Sequence, residues 1–393
     1  MTHLSDLVFI SGTNGTREAI NYLRDLRHMF GKINKNTYTV KFDGAPAVFV
    51  GIDPTDKKFF VAKKGIFNKN PLVYKTQADI DRDLSGELHT KFSLLLQHLP
   101  KLGITSGIYQ GDLMFSHDDL KTETIDGQKM MTFHPNTIVY AVAAGSELAL
   151  KINKAKIGIV FHTTYTGNSF ETLKASLGKP IVNKFKHTSD VWAIDATVEN
   201  STSNFSLSDD EYLQVELLLK DIGLQFNAVP STLLNTISEN EELRSVVLIY
   251  INSLVRKNIK DIGGLEMSNG FFDFIHNRYQ KEIDKRKTEK SKSDLNDKRS
   301  TVLKFFDAFG HSQIAKIFDL ARSIDLLKDL LLSKMRKIEG LSHFIKTENG
   351  FKVTNPEGFV AIQAESGKAI KLVDRFSFST ANFSPDVIKG WQK

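Results

Sequence analysis

The sequence predicts an α+β fold, in which an antiparallel β-sheet domain carries a large α-helical insertion. β-rich runs separated by turns fill residues 37–162, helical periodicity dominates residues 170–346, and β-rich runs return in residues 350–376. Because the last block is too short to form a core alone, we expect it to return to the first sheet. The predicted domains are therefore residues 1–165 together with 347–393, and the helical insertion 166–346.

Composition places the chain among ordinary globular proteins. Of its 393 residues, 41% are hydrophobic and 25% are charged, so the chain can bury a large core. The 52 basic residues exceed the 46 acidic ones by six, which permits a polyanionic partner. Cysteine is absent, and this excludes disulfides, thiolate catalysis and cysteine-ligated zinc. Because no secretion signal and no bilayer-spanning apolar run is found, we expect a cytoplasmic protein, in the host cytoplasm if it is viral.

The first part of the chain alternates between strands and helices. Apolar spacing predicts a helix from Arg17 to Phe30 with Thr16 as its N-cap. β-branched and aromatic residues predict a strand that ends at Lys41. The elements predicted after Lys41 are a hairpin of strands 47–52 and 58–63, a long helix 76–102, strands 107–112 and 137–143, a helix 146–151, and a strand 156–162.

The second part of the chain is mainly helical until its last block. The predicted helices are 211–222, 239–256, 270–287, 300–309 and 312–339, and the predicted strands are 190–198, 350–354, 359–364 and 368–376. The run 281–300 is dense in both charges, with basic residues in excess. Two interpretations stay open for this run, a solvated helix end with its loop or a phosphate-contacting surface.

The turn that contains Lys41 is the strongest candidate for a chemical site. Lys41 and Asp43 stand two residues apart at the end of a predicted strand, so both side chains point to the same side and share a pocket. A lysine between apolar strands loses solvation, and its neutral amine is then a nucleophile.

The sequence around Lys41 begins an ordered series of short motifs. They are Lys41-Phe42-Asp43-Gly44, Lys63-Lys64-Gly65, Tyr109-Gln110-Gly111-Asp112-Leu113, Ile138-Val139-Tyr140-Ala141-Val142, Pro356-Glu357-Gly358-Phe359-Val360 and Ala369-Ile370-Lys371-Leu372-Val373. The series resembles the motifs of the covalent nucleotidyltransferases, which include ATP-dependent DNA ligases, RNA ligases and mRNA capping enzymes. The resemblance covers roughly residues 35–162 and 350–378.

The resemblance implies a catalytic role for three residues. Lys41 would attack the α-phosphorus of ATP, release pyrophosphate and become lysyl-AMP. Asp43 would share its catalytic pocket. Lys371, or Lys368 nearby, would stabilise charge on the α-phosphate as pyrophosphate leaves.

The resemblance also implies a set of nucleotide and metal contacts. The backbone at Thr39 and Val40 would face the adenine edge, and Tyr140 would stack on the adenine ring. Asp112 would accept a hydrogen bond from a ribose hydroxyl. The remaining contacts are Lys63 or Lys64 to the ribose or an acceptor 5′-phosphate, and Glu357 with Asp112 to Mg²⁺ or Mn²⁺.

The predicted function is that of an ATP-dependent polynucleotide ligase of the RNA-ligase type, a viral-type enzyme of nucleic-acid repair. The chain resembles the antiparallel, ATP-grasp-like adenylation domain of ligases and carries no OB-fold domain after its last motif. The helical insertion would then clamp nucleic acid. The expected partners are RNA or DNA ends or nicks, with no membrane, and the expected state is a monomer.

Other functions remain open on the sequence alone. The enzyme alternatives are an ATP-dependent DNA ligase and a GTP-using guanylyltransferase. A non-catalytic nucleic-acid-binding protein on a ligase scaffold is a further alternative. It is favoured by Ala45-Pro46-Ala47, where many ligases have an arginine, and by Val373, where a second lysine is usual. Retention of Lys41, Asp43 and Glu357 together argues against it, because a binding module needs no nucleophile.

Overall fold

A computed structural model describes residues 3–29, 37–198, 207–260, 262–334, 341–354, 357–362, 369–374 and 384–391. The chain divides into two compact units. The helical unit consists of residues 1–34, 201–335 and 370–383, and the sheet unit of residues 35–200, 336–369 and 384–393.

Most strands of the sheet unit are antiparallel. Its elements are β1 (Thr37–Lys41), β2 (Ala47–Ile52), β3 (Phe59–Ala62), β4 (Val73–Tyr74), α3 (Gln77–Asp83), α4 (Gly86–His98), β5 (Ile108–Ser116), β6 (Lys121–Ile125), β7 (Gln128–Phe133), β8 (Ile138–Ala143), α5 (Glu147–Lys154), β9 (Ile157–Thr166), β10 (Lys174–Leu177), β11 (Val191–Asp195), β12 (Thr197–Val198), β13 (Ser342–Thr347), β14 (Gly350–Val353), β15 (Gly358–Ile362) and β17 (Val387–Ile388). In strand β16 (Ala369–Leu372), the first residue is grouped with the sheet unit and the other three with the helical unit.

The largest sheet has the strand order β10-β9-β5-β2-β3-β4, and β11 also pairs with β9, in parallel. Strand β2 is buried on both faces because its side chains alternate between two clusters. Val48 and Val50 pack with Phe92 and Leu95 of α4, whereas Phe49 packs into a separate cluster on the other face. This double burial explains why β2 is an uninterrupted apolar run in the sequence.

Two further sheets complete the unit. One has the order β14-β13-β8-β7-β6, with β17 paired to β13. In the other, β1 lies between β12 and β15. The antiparallel register of β1 and β15 places Lys41 opposite Gly358, so the two motifs farthest apart in the chain become neighbours.

The helical unit is built from α1 (Leu7–Ile10), α2 (Gly12–Met29), α6 (Asp209–Ala228), α7 (Ser231–Glu239), α8 (Glu241–Arg256), α9 (Gly264–Asp284) and α10 (Glu289–Lys334). An aromatic cluster forms part of its core, and Phe271 lies against Phe306 and Phe318. Gly310 has non-helical backbone angles (φ 72°, ψ 163°) and breaks α10 close to the predicted boundary between two helices.

The α+β class is confirmed, and the two compact units differ from the predicted domains in residues 3–29, 166–198 and 370–374. Residues 3–29 belong to the helical unit, because α1 and α2 pack with α6, α7 and α10. Residues 166–198 belong to the sheet unit, because β10 and β11 pair with β9. Sequence patterns describe local elements and do not report which unit an amphipathic helix will join.

Three local features of the structure differ from the prediction. The predicted helix 76–102 is two helices, since Leu84 and Ser85 are extended and Gly86 has a φ of 58°. Thr16 is not an N-cap: it is buried inside α2, which begins at Gly12, and its hydroxyl donates to the Gly12 carbonyl. The hairpin β6–β7 was not predicted.

The run 281–300 pairs its charges locally. Lys285 contacts Glu282 and Lys292 contacts Glu289, each three residues apart along a helix. This favours the interpretation as a solvated helix end. Among the described residues, no helix is long and apolar enough to cross a membrane.

Candidate functional site

Lys41 ends β1, and its ammonium forms an ion pair with the Glu357 carboxylate. The lysine side chain keeps 27% of its exposure, while that of Glu357 keeps only 2%. Because Lys41 pairs with Gly358 across β1 and β15, the strand register itself brings Glu357 beside the lysine. Gly358 has a φ of 143°, a backbone conformation that L-residues rarely adopt. This explains why a glycine follows Glu357 in the sequence.

Asp43 is buried, and its carboxylate is held by three hydrogen bonds. The Asn136 side chain donates to it at 2.6 Å, and the backbone N–H groups of Thr137 and Ile138 donate at 2.7 and 2.9 Å. A carboxylate engaged in this way fixes the Lys41 turn onto the start of β8. These contacts give Asp43 a role in positioning the turn, and its catalytic role stays a prediction.

Gly44 allows the turn to approach β5. A Cβ atom at this position would lie 2.6 Å from the Asp112 Cβ and 2.9 Å from the Met114 Sδ. Contacts this close require a shift of the backbone or of a packed side chain. A glycine after Asp43 is therefore needed for the turn to lie against the strand that carries Asp112.

Asp112 is the electrostatic centre of the cluster. Burial raises the pKa of its carboxyl to about 7; the neighbouring charges of Glu357 and Asp43 also raise it, and those of Lys41 and Lys64 lower it. These influences show that residues from four predicted motifs lie within electrostatic range of one carboxyl. We call Lys41, Asp43, Asp112 and Glu357 the Lys41 cluster.

The raised pKa of Asp112 predicts a pH dependence of stability. Between pH 4 and about 7 the unfolded chain has lost this proton and the folded protein has kept it, so the free energy of unfolding falls as pH rises through this window. We expect Asp112→Asn to remove that fall, measured by urea unfolding at pH 5 and pH 8. The exposed Asp118→Asn serves as the control and should retain it. Equal pH dependence in Asp112→Asn and the wild type would contradict the assignment.

Thr39, Val40, Lys63 and Lys64 also belong to the sheet unit. Thr39 is buried opposite Val360, and the Val40 N–H donates to the Ala196 carbonyl at 2.7 Å. That N–H is therefore engaged within the protein, which corrects its predicted availability to an adenine edge. Lys63 and Lys64 follow β3; Lys64 is exposed and lies within electrostatic range of Asp112.

Tyr140 is a core residue. Its side chain is 1% exposed, and its ring stacks on Phe133 with centroids 5.4 Å apart. Its hydroxyl accepts a hydrogen bond from the Asp43 N–H at 2.6 Å. The ring is enclosed by its neighbours, a position that does not favour the predicted stacking on adenine, and its hydroxyl supports the turn that carries Lys41.

The last motif supplies two candidate lysines, Lys368 and Lys371. Lys368 lies outside the described residues. Lys371 lies in β16 and is grouped with the helical unit, and its backbone forms an isolated parallel β-bridge with His3. The sheet unit therefore brings together Lys41, Asp112 and Glu357, with Lys64 within electrostatic range of Asp112.

Several residues beside the cluster were not predicted. His162 Nε2 lies 3.7 Å from the Asp112 carboxylate, and burial, together with Lys41, lowers the pKa of His162 to about 4. Burial also lowers the pKa of Lys389, a lysine within electrostatic range of Asp43. The next residue, Gly390, donates its N–H to the Asn136 carbonyl at 2.6 Å.

Comparison with known proteins identifies a family. A family model described as "Family of unknown function (DUF6267)" matches residues 1–386, so the chain belongs to this family. No curated protein and no solved structure gives a significant match.

Proposed function

We propose that this protein is an ATP-dependent polynucleotide ligase of the RNA-ligase type, built on a nucleotidyltransferase adenylation domain. One observation carries the proposal. Lys41 and Glu357 are 316 positions apart in the chain and form an ion pair across β1 and β15, beside Asp112. The Glu357 carboxylate can accept the proton that the Lys41 ammonium must lose before its nitrogen attacks a phosphorus atom.

The first step would join Lys41 to AMP. The Lys41 amine attacks the α-phosphorus of ATP, a P–N bond forms, the bond to the β-phosphate oxygen breaks, and pyrophosphate leaves. The Glu357 carboxylate already contacts the lysine nitrogen, so it is placed to take the proton that the amine must lose.

Two further transfers would complete ligation. A 5′-phosphate oxygen attacks the lysyl-AMP phosphorus, so the P–N bond breaks and the Lys41 amine is restored. A 3′-hydroxyl then attacks the adenylated 5′-phosphate, which forms the new phosphodiester and releases AMP. Lys64 is the exposed cation within electrostatic range of Asp112, and it would attract the 5′-phosphate.

The charges of the cluster fit a divalent cation. Among the described residues no group of three or more His, Asp or Glu side chains is arranged to hold a metal. Burial is the largest cause of the raised pKa of Asp112, and the neighbouring charge of Glu357 adds to it, so a bound cation would offset the charge of these two carboxylates. Mg²⁺ or Mn²⁺ bound there through both carboxylates and water would offset the charge of the leaving pyrophosphate.

The proposal is tested by the intact mass of the purified protein after incubation with ATP and Mg²⁺. We expect a gain of one AMP, which added pyrophosphate removes. GTP in a parallel sample distinguishes a guanylyltransferase. No adduct with either nucleotide, after pyrophosphate treatment to strip any AMP already present, would contradict the proposal. Joining assays on RNA, DNA and hybrid nicks then identify the acceptor, and we expect RNA.

A further inference from the structure

The sheet unit contains a groove whose lining residues do not include those of the Lys41 cluster. It is a groove of about 540 Å³ along β11, between α5 and the segment 185–189. We call it the β11 groove. Neither a predicted motif nor the proposed chemistry at Lys41 makes use of it.

The rim of the β11 groove is basic. Lys151 and Lys154 of α5 line one side, and Lys186 with His187 lines the other. Among the described residues no aspartate or glutamate lines the groove. Lys151 pairs with the exposed Glu147, whereas Lys154 and Lys186 form no ion pair with any described residue. Two lysines without an ion pair to any described residue, in a lining that contains no carboxylate, create a field that attracts an anion.

The floor of the groove is apolar and partly aromatic. Trp192 and Phe185 contribute rings, and Val191 and Ala193 contribute aliphatic surface. Trp192 stacks on Phe115 with centroids 5.8 Å apart and is 8% exposed, so its ring is held rigidly and presents a small part of its surface to the groove. The aliphatic stem of Lys186 lies against Gly103, where an added Cβ would come within 2.7 Å of the lysine Cδ.

We infer that the β11 groove binds single-stranded nucleic acid, with phosphates at the lysines of its rim and bases on its aromatic floor. Proteins that bind single strands combine these two features, a cationic groove and fixed rings for stacking. An acidic peptide would satisfy the rim equally well, but it would not need rings on the floor. In the proposed ligase, on which this role rests, the groove would hold one of the strands to be joined.

The aromatic floor also lies close to the Lys41 cluster. Trp192 contacts Phe133 at 6.2 Å between ring centroids, and Phe133 stacks on Tyr140, whose hydroxyl binds the Asp43 N–H. A nucleic-acid strand that contacts Trp192 would therefore be connected to the Lys41 turn through the side chains of Phe133 and Tyr140.

The test measures binding of a fluorescein-labelled oligouridylate of about twelve nucleotides, without ATP or Mg²⁺, across a series of salt concentrations. We expect Lys154→Ala/Lys186→Ala to weaken binding roughly tenfold and to reduce the slope of log K against log salt by about 1.4, since each phosphate contact on a single strand contributes about 0.7. Lys129→Ala/Lys174→Ala removes two exposed lysines elsewhere on the same unit and should change neither quantity.

Trp192 supplies a local signal. The chain contains two tryptophans, and Trp391→Phe leaves Trp192 as the sole tryptophan, which is excited selectively at the red edge of its absorption. Oligouridylate should quench Trp192 in this background and should no longer do so at the same concentration after Lys154→Ala/Lys186→Ala. Circular dichroism verifies that each variant is folded.

The possible outcomes separate the groove from the ligase. If the groove variant binds oligouridylate like the wild type while the wild type forms its AMP adduct, the groove inference is wrong and the ligase proposal stands. If no adduct forms but binding depends on the groove lysines, the groove stands and the ligase proposal fails. Quenching of Trp192 by polyglutamate but not by oligouridylate would indicate a peptide site and overturn the inference.

Discussion

Lys41→Arg is expected to abolish formation of the AMP adduct while leaving the sheet unit folded. Arginine keeps the positive charge that Glu357 contacts, but its guanidinium remains protonated and is not a nucleophile. Loss of a nucleophile costs catalysis many orders of magnitude, so the rate should fall at least about 10⁴-fold. Intact mass and the release of labelled pyrophosphate measure the effect, and Lys174→Arg, an exposed lysine outside the cluster, should behave as wild type.

Lys41→Ala is also expected to abolish formation of the AMP adduct, and in addition it lowers the stability of the fold. It removes the cation beside Glu357, whose side chain is 2% exposed, and a buried charge without its partner lowers the free energy of unfolding by about 3 kcal/mol. The double variant Lys41→Ala/Glu357→Gln should recover part of that stability and still form no adduct. This comparison separates the loss of the nucleophile from the loss of the fold. A Lys41→Arg protein that forms the adduct at the wild-type rate would contradict the assignment of Lys41.

Asp43→Ala is expected to lower the free energy of unfolding of the sheet unit by about 3 kcal/mol or more. The substitution leaves the Asn136 amide and the N–H groups of Thr137 and Ile138 without the buried carboxylate that accepts from them. Each unsatisfied buried donor costs about 1 kcal/mol or more. The turn that carries Lys41 would lose its anchor on β8, so adduct formation should decrease as well. Urea unfolding followed by circular dichroism measures the stability.

Asn136→Ala is the graded comparison for Asp43. It removes one of the three hydrogen bonds and leaves the two backbone donors in place, so we expect a loss of about 1 kcal/mol. Asp118→Ala, an exposed aspartate, should be neutral within about 0.5 kcal/mol. If Asp43→Ala were no more destabilising than Asn136→Ala, the carboxylate would not be the anchor of the turn.

The sequence located the strands and the cluster best where the pattern was local. The strand that ends at Lys41, the turn before β2 and the strand that contains Tyr140 were predicted close to their observed bounds. β-branched and aromatic runs bounded by glycine and proline are physical determinants of strands and turns, and they act over a few residues. The order of the motifs further predicted that Glu357 belongs with Lys41.

The roles of individual side chains were harder to predict. Asp43 and Tyr140 carry groups that suit catalysis or stacking, but one is saturated by hydrogen bonds and the other is enclosed in the core. His162 and Lys389 approach the cluster from β9 and from the last described segment, without any motif around them. Which groups face one another depends on strand register and on close approaches such as that at Gly44.

The sequence by itself therefore determined the α+β class, the strands that carry the motifs and the identity of the lysine at the end of β1. The tertiary structure alone decided the ion pair of Lys41 with Glu357, the raised pKa of Asp112, the anchoring of Asp43 and the basic rim of the β11 groove. The physical reason is the separation along the chain over which each effect acts. Propensity and periodicity act between near neighbours in the chain, whereas burial and charge act between side chains that only the fold brings together.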